Sequence, residues 1–537
     1  MCGILTVIGE NSPEEIRNLS KRMTHRGPDE NGLVQTENGS VLSHERLSII
    51  DLNTGVQPIP SEGEVWMVHN GEIYNHEEIR TQLVNYPFRT KSDSEVIVAL
   101  YKEYGYEFCN RLDGVFAFVI VDGDKYMAAR DPIGVKPLYY GTDKSGKMYF
   151  ASEMKAIADQ CIEMEAFPPG HYYTLETGFV KYYKPDWENV FVAKDDVDLK
   201  KLENALVKAT EKRLMTDVPL GVLLSGGLDS SLIAAITKRL LPKESELHSF
   251  SVGVSEDAPD LIAAKKVADY IGTTHHSVVF SVEEGIESIK KIIWHLETYD
   301  VTTIRAATPM YFLSKYIKST GIKTVLSGEG ADEIFGGYLY FHNAPNAIEF
   351  QKELIRRVQN LSTADCLRAD KSTMAHGIEA RVPFLDKDFI NTSMHIKPSD
   401  KQPDRDKSIP EKYILRAAFD HKENPYLPDE VLWRQKEQFS DGIGYSWIDE
   451  LRQFCENSVS DKQFAKAKEL YSHNTPTTKE AFYFRQLFEE MYPQEHALKT
   501  VKKWIPKWQD DEDPSGRAST AHDNNLITKT KRIRKRA

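Results

Sequence analysis

Cysteine is scarce in this chain: five in 537 residues, at positions 2, 109, 161, 366 and 455. They form no CxxC pair and no zinc-ligand spacing, which argues against a disulfide scaffold and a cysteine metal site. Long hydrophobic runs are also missing. No stretch approaches the ~18 apolar residues a membrane span needs, so no membrane partner is expected. Positive charge is not in excess either. The formal net charge of -13 argues against a bulk nucleic-acid binder. The first residues carry no basic region followed by an apolar stretch, so no signal peptide is expected. The reading is a cytoplasmic protein with reduced thiols. No internal repeat is found. What is there, 40% hydrophobic and 28% charged residues, is ordinary globular composition. Such a length suggests about three or four domains.

Residues 1 to about 185 read as short strands with two helices between them. Met1–Gly9, Gly32–Ser43, Val65–Asn70, Phe116–Asp122, Tyr126–Arg130 and Tyr149–Ser152 are apolar or alternating runs bounded by Gly, Asn or Asp. Pro13–Met23 and Ser94–Tyr104 carry apolar residues at helical spacing. Sheets with helices outside them predict a layered α+β domain over 2–185. A polar linker follows from Lys184. From 198 the pattern alternates: helix Leu199–Leu214, strand Val218–Leu224, strand His248–Val254, helix Leu261–Ile271, strand His276–Phe280 and strand Lys323–Leu326. That order predicts an α/β doubly wound parallel sheet, largely helical beyond Tyr338, over 198–509. The remainder, 510–537, is acidic, then basic and poor in apolar residues, and reads as a disordered tail. Deleting 510–537 is expected to leave activity and melting temperature nearly unchanged; a large drop in either would show that it packs on the rest.

Cys2 stands directly behind the initiator. If Met1 is trimmed, a thiol and a free α-amine share one residue. A thiol at its free pKa is only a few per cent thiolate at neutral pH and needs a base. An α-amine titrating at roughly 7.7–8.0 supplies one. Other stretches carry groups suited to an amide substrate. Thr24–Asp29 is a turn-forming run with two potential cations. Arg46, leading Leu47, Ser48, Ile49 and Ile50, suits bidentate recognition of a carboxylate. Asn70 beside Gly71, followed by Glu72, offers donors for an oxyanion hole. Asp93 suits an ammonium group. Each has a plainer reading. Arg46 also fits a surface ion pair, Asn70-Gly71 a hairpin turn, and Ser92-Asp93 a helix N-cap.

In the second half, Ser225-Gly226-Gly227-Leu228-Asp229-Ser230 follows a buried strand and opens a helix, the setting in which backbone N–H groups hold phosphate. It is not the loop whose lysine reaches terminal phosphates. Ser327-Gly328-Glu329-Gly330-Ala331-Asp332-Glu333 is a second loop after a strand, with three carboxylates. Mg²⁺ is usually held by one or two carboxylates plus substrate phosphates, and Asp229 and Asp332 are the candidates. Glu333 reads as a solvated charge. Lys436, in Lys436–Gly442, supplies a cation.

Residues 1–173 resemble the class II glutamine amidotransferase domain, an N-terminal-nucleophile αββα sandwich. SGGLDS resembles the pyrophosphate loop of ATP pyrophosphatases. Over about 1–509 the chain resembles the glutamine-hydrolysing asparagine synthetases, on stretches that include Glu297–Arg305, Ser327–Tyr340, Glu379–Asp386 and Trp433–Trp447. The resemblance implies the following. Cys2 attacks the glutamine amide. Asn70 and Gly71 stabilise the oxyanion. Arg46, Leu47, Ser48, Ile49, Ile50, Glu72 and Asp93 complete the glutamine site. ATP lies on Leu223, Ser225, Gly226, Gly227, Asp229, Ser230, Val252, Ser327 and Gly328, with Mg²⁺. The aspartate β-carboxylate attacks the α-phosphate. Glu329 assists formation and capture of β-aspartyl-AMP, Lys436 stabilises the charge of adenylation, and Thr302 and Arg305 shape the pocket. A tunnel between the domains carries ammonia. The β-lactam-forming branch of this architecture lacks a working glutaminase nucleophile, so the set Cys2, Arg46, Asn70 and Asp93 argues against it. Glutamine, aspartate and ATP are the expected partners. Nucleic acid is not expected, the untested basic tail apart. Oligomeric state stays open, with a homodimer allowed.

Overall fold

A computed structural model describes residues 2–404, 406–434, 442–444 and 446–509. Lys436 and the tail 510–537 lie outside the described residues. Two six-stranded sheets form the first half. One runs, in spatial order, Glu163–Ala166, Tyr139–Thr142, Met148–Ala151, Cys2–Val7, Val41–Arg46 and Glu30–Gln35. The other runs Gly178–Lys181, His171–Thr174, Lys125–Arg130, Gly114–Asp122, Val65–Ile73 and Ile59–Ser61. Strand alternation explains how they stack. Successive side chains point to opposite faces. Ile4 and Leu42 pack with Val68, Ala117, Val119 and Val121 between the sheets. Leu5, Val7 and Val41 face outward with Ile16 and Leu19 of helix Pro13–Ser20. Met67, Phe118 and Ile120 face the other way, onto helix Glu95–Tyr104. The result is the expected αββα layering. Each fully buried aliphatic side chain contributes roughly 1.5–3 kcal/mol, so the three apolar layers fix the register of both sheets.

The second half holds a five-stranded parallel sheet in the order Thr274–Val279, His248–Gly253, Leu220–Leu223, Thr324–Leu326 and Glu379–Arg381. Chain order reverses beside Leu220–Leu223. Open parallel sheets bind ligands at that reversal, outside the carboxyl ends of the strands. SGGLDS follows Leu220–Leu223, and the Ser327–Glu333 loop follows Thr324–Leu326, so both loops open at the reversal. Helices Leu228–Leu240, Pro259–Ile271, Val282–Leu296 and Val301–Ser319 flank the sheet, and the chain beyond Tyr338 is mostly helical. No helix among the described residues is long and apolar enough to cross a membrane.

Some elements differ from expectation. Gly32–Ser43 is not one strand. Glu30–Gln35 and Val41–Arg46 pair antiparallel across a turn at Asn38-Gly39. Pro13–Met23 ends as an α-helix at Ser20 and tightens into a 3₁₀ turn over Lys21–Arg26. Val65–Asn70 continues to Ile73, so Asn70-Gly71 lies within a strand and is no hairpin turn.

Candidate active sites

Cys2 opens its strand opposite Arg46 in the antiparallel register, which puts both side chains on one face. The N–H of Cys2 donates to Asn70 Oδ1 at 2.9 Å, crossing from one sheet to the other. Asn70 is fully buried, and its Nδ2 has no hydrogen-bond partner. An unclaimed buried donor is costly unless something else occupies it. Gly71 follows, at φ +152°, where an added Cβ would lie 2.0 Å from the Val115 carbonyl oxygen. Only glycine fits there. Asn70 thus brings a buried donor to the side of Cys2, with Gly71 next along the strand, an arrangement that suits an oxyanion hole. Burial pushes the Cys2 thiol up, opposed by the Leu47 N–H and by Arg46.

Arg46 is no surface ion pair: it is buried, with Nη1 on Glu30 Oε2 at 2.6 Å and Nη2 on the Asp51 carbonyl at 2.6 Å. Asp93 caps no helix. It accepts the N–H of Ile73 at 2.8 Å, and burial raises its pKa. A buried carboxylate in that state gains from an arriving cation, which suits an α-ammonium group. Leu47 and Ile49 pack on Met374, and the Ser48 N–H donates to Asp29 Oδ2 at 2.8 Å. Ile50 packs at the edge of the same cluster. Glu72 is turned to Arg381, 3.4 Å away. Burial, then the nearby Glu379, lifts its pKa well above the usual range. Arg381 and Glu379 belong to the last strand of the parallel sheet, so the second half forms one wall of the first site.

The second site is an open cleft at the carboxyl ends of the parallel strands. Leu223, Ser225, Gly227, Asp229, Ser230, Val252, Ser327, Gly328, Glu329 and Asp332 all line it. Gly226 stands just behind, its carbonyl accepting Arg434 Nη1 at 3.2 Å. Thr302 lines the cleft as well. Arg305 does not line the cleft. It is buried against Glu480, with Nε to Oε1 at 2.8 Å, and supports the wall from behind. Glu333 is not solvated. It is 1% exposed, accepts the Tyr338 hydroxyl, and burial pushes its carboxyl well up.

Three cleft residues carry no motif. Lys412 places its ammonium 2.5 Å from Asp229 Oδ2 and 2.6 Å from Asp332 Oδ1. Its stem passes where a Cβ on Gly337 would stand, 2.1 Å from Cε. Arg368 binds Glu329 and donates to Asp365 Oδ1 at 2.8 Å. Against the penalty of burial, Glu329 and Asp365 hold that guanidinium firmly charged. In sequence, Lys412 is one lysine in a polar stretch, and Arg368 and Asp365 are ordinary members of an amphipathic helix. No local signal singles them out.

Among the described residues no three His, Cys, Asp or Glu side chains gather to hold a metal. Asp229 and Asp332 do converge on one cationic centre beside the phosphate loop. Two hard oxygen donors next to a phosphate site fit Mg²⁺, which is usually held partly by substrate phosphates.

The glutamine amidotransferase domain family matches residues 1–190, and the asparagine synthase family matches residues 201–350 and 344–512. A Dictyostelium discoideum relative is 52% identical over 97% of this chain and 99% of its own length. Asparagine synthetase 1, glutamine-hydrolysing, of Arabidopsis thaliana is 51% identical over 97% of this chain and 94% of its own. The root enzyme of that name from Pisum sativum is 50% identical over 99% of this chain and 97% of its own.

Proposed function

The chain belongs to the glutamine-hydrolysing asparagine synthetases, and from that premise we propose how its residues divide the work between 2–185 and 198–509. The reaction is the ATP-dependent amidation of aspartate with ammonia taken from glutamine. With Met1 removed, the Cys2 α-amine rests at Asn70 Oδ1 and serves as base for its own thiol. The thiol attacks the glutamine amide carbon, Asn70 Nδ2 and the Gly71 N–H hold the oxyanion, and ammonia leaves as a thioester forms. Water then releases glutamate. Arg46 takes the glutamine α-carboxylate and Asp93 its α-ammonium. The single observation that carries this half is Asn70, which grips Cys2 with its oxygen and keeps a buried donor unclaimed beside it.

In the cleft, the SGGLDS loop and Ser327-Gly328 hold ATP. The aspartate β-carboxylate attacks the α-phosphate, giving β-aspartyl-AMP and pyrophosphate, and ammonia displaces AMP. Asp229 and Asp332 would hold Mg²⁺, which when bound neutralises phosphate charge. Lys412 fixes both carboxylates and adds a cation of its own, and Lys436 is proposed as a further one. Glu329 orients the acyl group or manages its proton, with Arg368 holding it in place. A cytoplasmic location is part of the proposal, supported by five cysteines none of which is bonded to another. Product analysis with glutamine, aspartate and ATP tests the whole scheme. Asparagine, glutamate, AMP and pyrophosphate are expected; ADP and phosphate would overturn adenylation.

Lys412→Met keeps the buried stem and removes the charge. Losing a preorganised charge in such a site costs roughly 10²–10³-fold. That loss is expected in pyrophosphate release with aspartate and ammonia, while glutamine hydrolysis stays intact. A near-normal release rate would show that Lys412 only balances the charges of Asp229 and Asp332.

A further inference from the structure

Helix Asp365–Met374 belongs to the second half of the chain, yet its two ends serve different sites. Asp365 and Arg368 line the ATP cleft. Met374 packs on Leu47 and Ile49 beside Cys2. Between them sits Asp370, 3% exposed, with Oδ1 2.8 Å from Arg26 Nη1. Arg26 is fully buried, and its Nε donates to the main-chain carbonyl of Cys2 at 3.0 Å. The Arg26–Asp370 contact spans 344 residues of sequence.

Arg26 has a second carboxylate partner, Glu153, at 2.9 Å. That carboxylate is divided: Lys155 contacts it, and His25 Nε2 lies 3.1 Å from Oε2. Asp370 is undivided. Its Oδ1 accepts Arg26, and its Oδ2 has no hydrogen-bond partner. Both carboxylates meet at Nη1, while Nη2 has no hydrogen-bond partner, so the guanidinium is held at Nη1 on one side and at Nε on the other, and losing either carboxylate loosens the plane that aims Nε. What Nε holds is the carbonyl of the residue that carries the thiol.

We propose that Asp370 is a positioning residue for glutamine hydrolysis: from the synthetase half it fixes Arg26, and Arg26 holds the backbone of Cys2 so that the thiol faces Asn70 and Gly71. The proposal rests on Cys2 being the nucleophile. It differs from a plain packing role in what it predicts. A misplaced nucleophile loses turnover, whereas Arg46 and Asp93, which hold the substrate, are untouched.

The test measures glutamine hydrolysis and ammonia-dependent asparagine synthesis on the full chain carrying Asp370→Ala, Asp370→Asn or Cys2→Ala. For Asp370→Ala, kcat for glutamine is expected to fall about 10²-fold, the scale of a reacting group misplaced by an ångström, with KM little changed. Ammonia-dependent synthesis, carried by the half in which Asp370 resides, stays near normal. Asp370→Asn retains an acceptor oxygen for Arg26 and is expected to recover most of the loss. Should Asp370→Ala fail to fold, Asp370→Asn and Arg26→Lys decide. Arg26→Lys keeps the charge but lacks the fork, so it should lose kcat while Asp370→Asn largely keeps it. Unchanged kcat in Asp370→Ala, equal behaviour of Asp370→Asn and Arg26→Lys, or parallel loss of both activities would overturn the proposal. Glutamine hydrolysis surviving in Cys2→Ala would instead overturn the nucleophile assignment beneath it.

Discussion

Cys2→Ala is expected to abolish glutamine-dependent asparagine formation while ammonia-dependent formation continues near its normal rate. The substitution removes one sulfur from a buried strand end and leaves the main-chain contacts of Cys2 with Asn70 and Arg26 in place. The first sheet should therefore keep its register. What is lost is the atom that bonds to the amide carbon. Removing the nucleophile of a covalent hydrolase costs on the order of 10⁶-fold in kcat, because the remaining groups act only in concert with it. The ATP cleft is built from loops of the parallel sheet, and no side chain of Cys2–Val7 lines it. External ammonia should serve it unimpeded. The measurement is asparagine produced from aspartate and ATP with either nitrogen donor. Comparable loss with both donors would sink the two-site division.

A pH profile sharpens the same test. In the proposed mechanism, with Met1 removed, the Cys2 α-amine takes the thiol proton, and its unperturbed pKa is roughly 7.7–8.0. Burial raises the thiol pKa, so the reactive form is scarcer at low pH. Glutamine hydrolysis should rise as pH passes through the amine pKa.

How legible all this was in sequence depended on how local each feature is. SGGLDS and the Ser327–Glu333 loop were readable because a strand, a glycine-bearing turn and a carboxylate stand together in the chain, and both loops do line the cleft. Long strands showed their alternation. Of the nine described strands of three or four residues, six went unread, Ile59–Ser61, Tyr139–Thr142, Glu163–Ala166, His171–Thr174, Gly178–Lys181 and Glu379–Arg381, because so short a segment gives a period of two little room to register. Asn70-Gly71 was ambiguous because its dipeptide favours a turn. The neighbouring strand Gly114–Asp122 settles it by pairing straight through both residues. Lys412 and Asp229 are 183 residues apart. Their contact depends on Gly337 leaving room for a lysine stem, and no spacing rule encodes that.

Glu329→Ala should block asparagine formation from either nitrogen source and spare glutamine hydrolysis. Two roles for Glu329 were open from sequence: handling the acyl group, or adding a ligand to Mg²⁺ beside Asp229 and Asp332. The geometry favours the first. Asp229 and Asp332 meet at Lys412, whereas Glu329 is bound to Arg368 on helix Asp365–Met374. An ion pair with a guanidinium keeps a carboxylate charged and aimed, which suits a group that must orient an acyl phosphate or accept a proton as ammonia attacks. A positioned acid or base contributes ~10²–10⁴-fold, and excess metal cannot replace it. Pyrophosphate release with saturating aspartate and ammonia, followed across a Mg²⁺ titration, reads the difference. The loss is expected to persist at every Mg²⁺ concentration. Glu329→Gln distinguishes charge from shape: it keeps a polar group facing Arg368 but can no longer act as a base, so it too should stay slow. Recovery of Glu329→Ala at high Mg²⁺ would return Glu329 to the metal. A fast Glu329→Gln would mean that the residue only holds Arg368 in place.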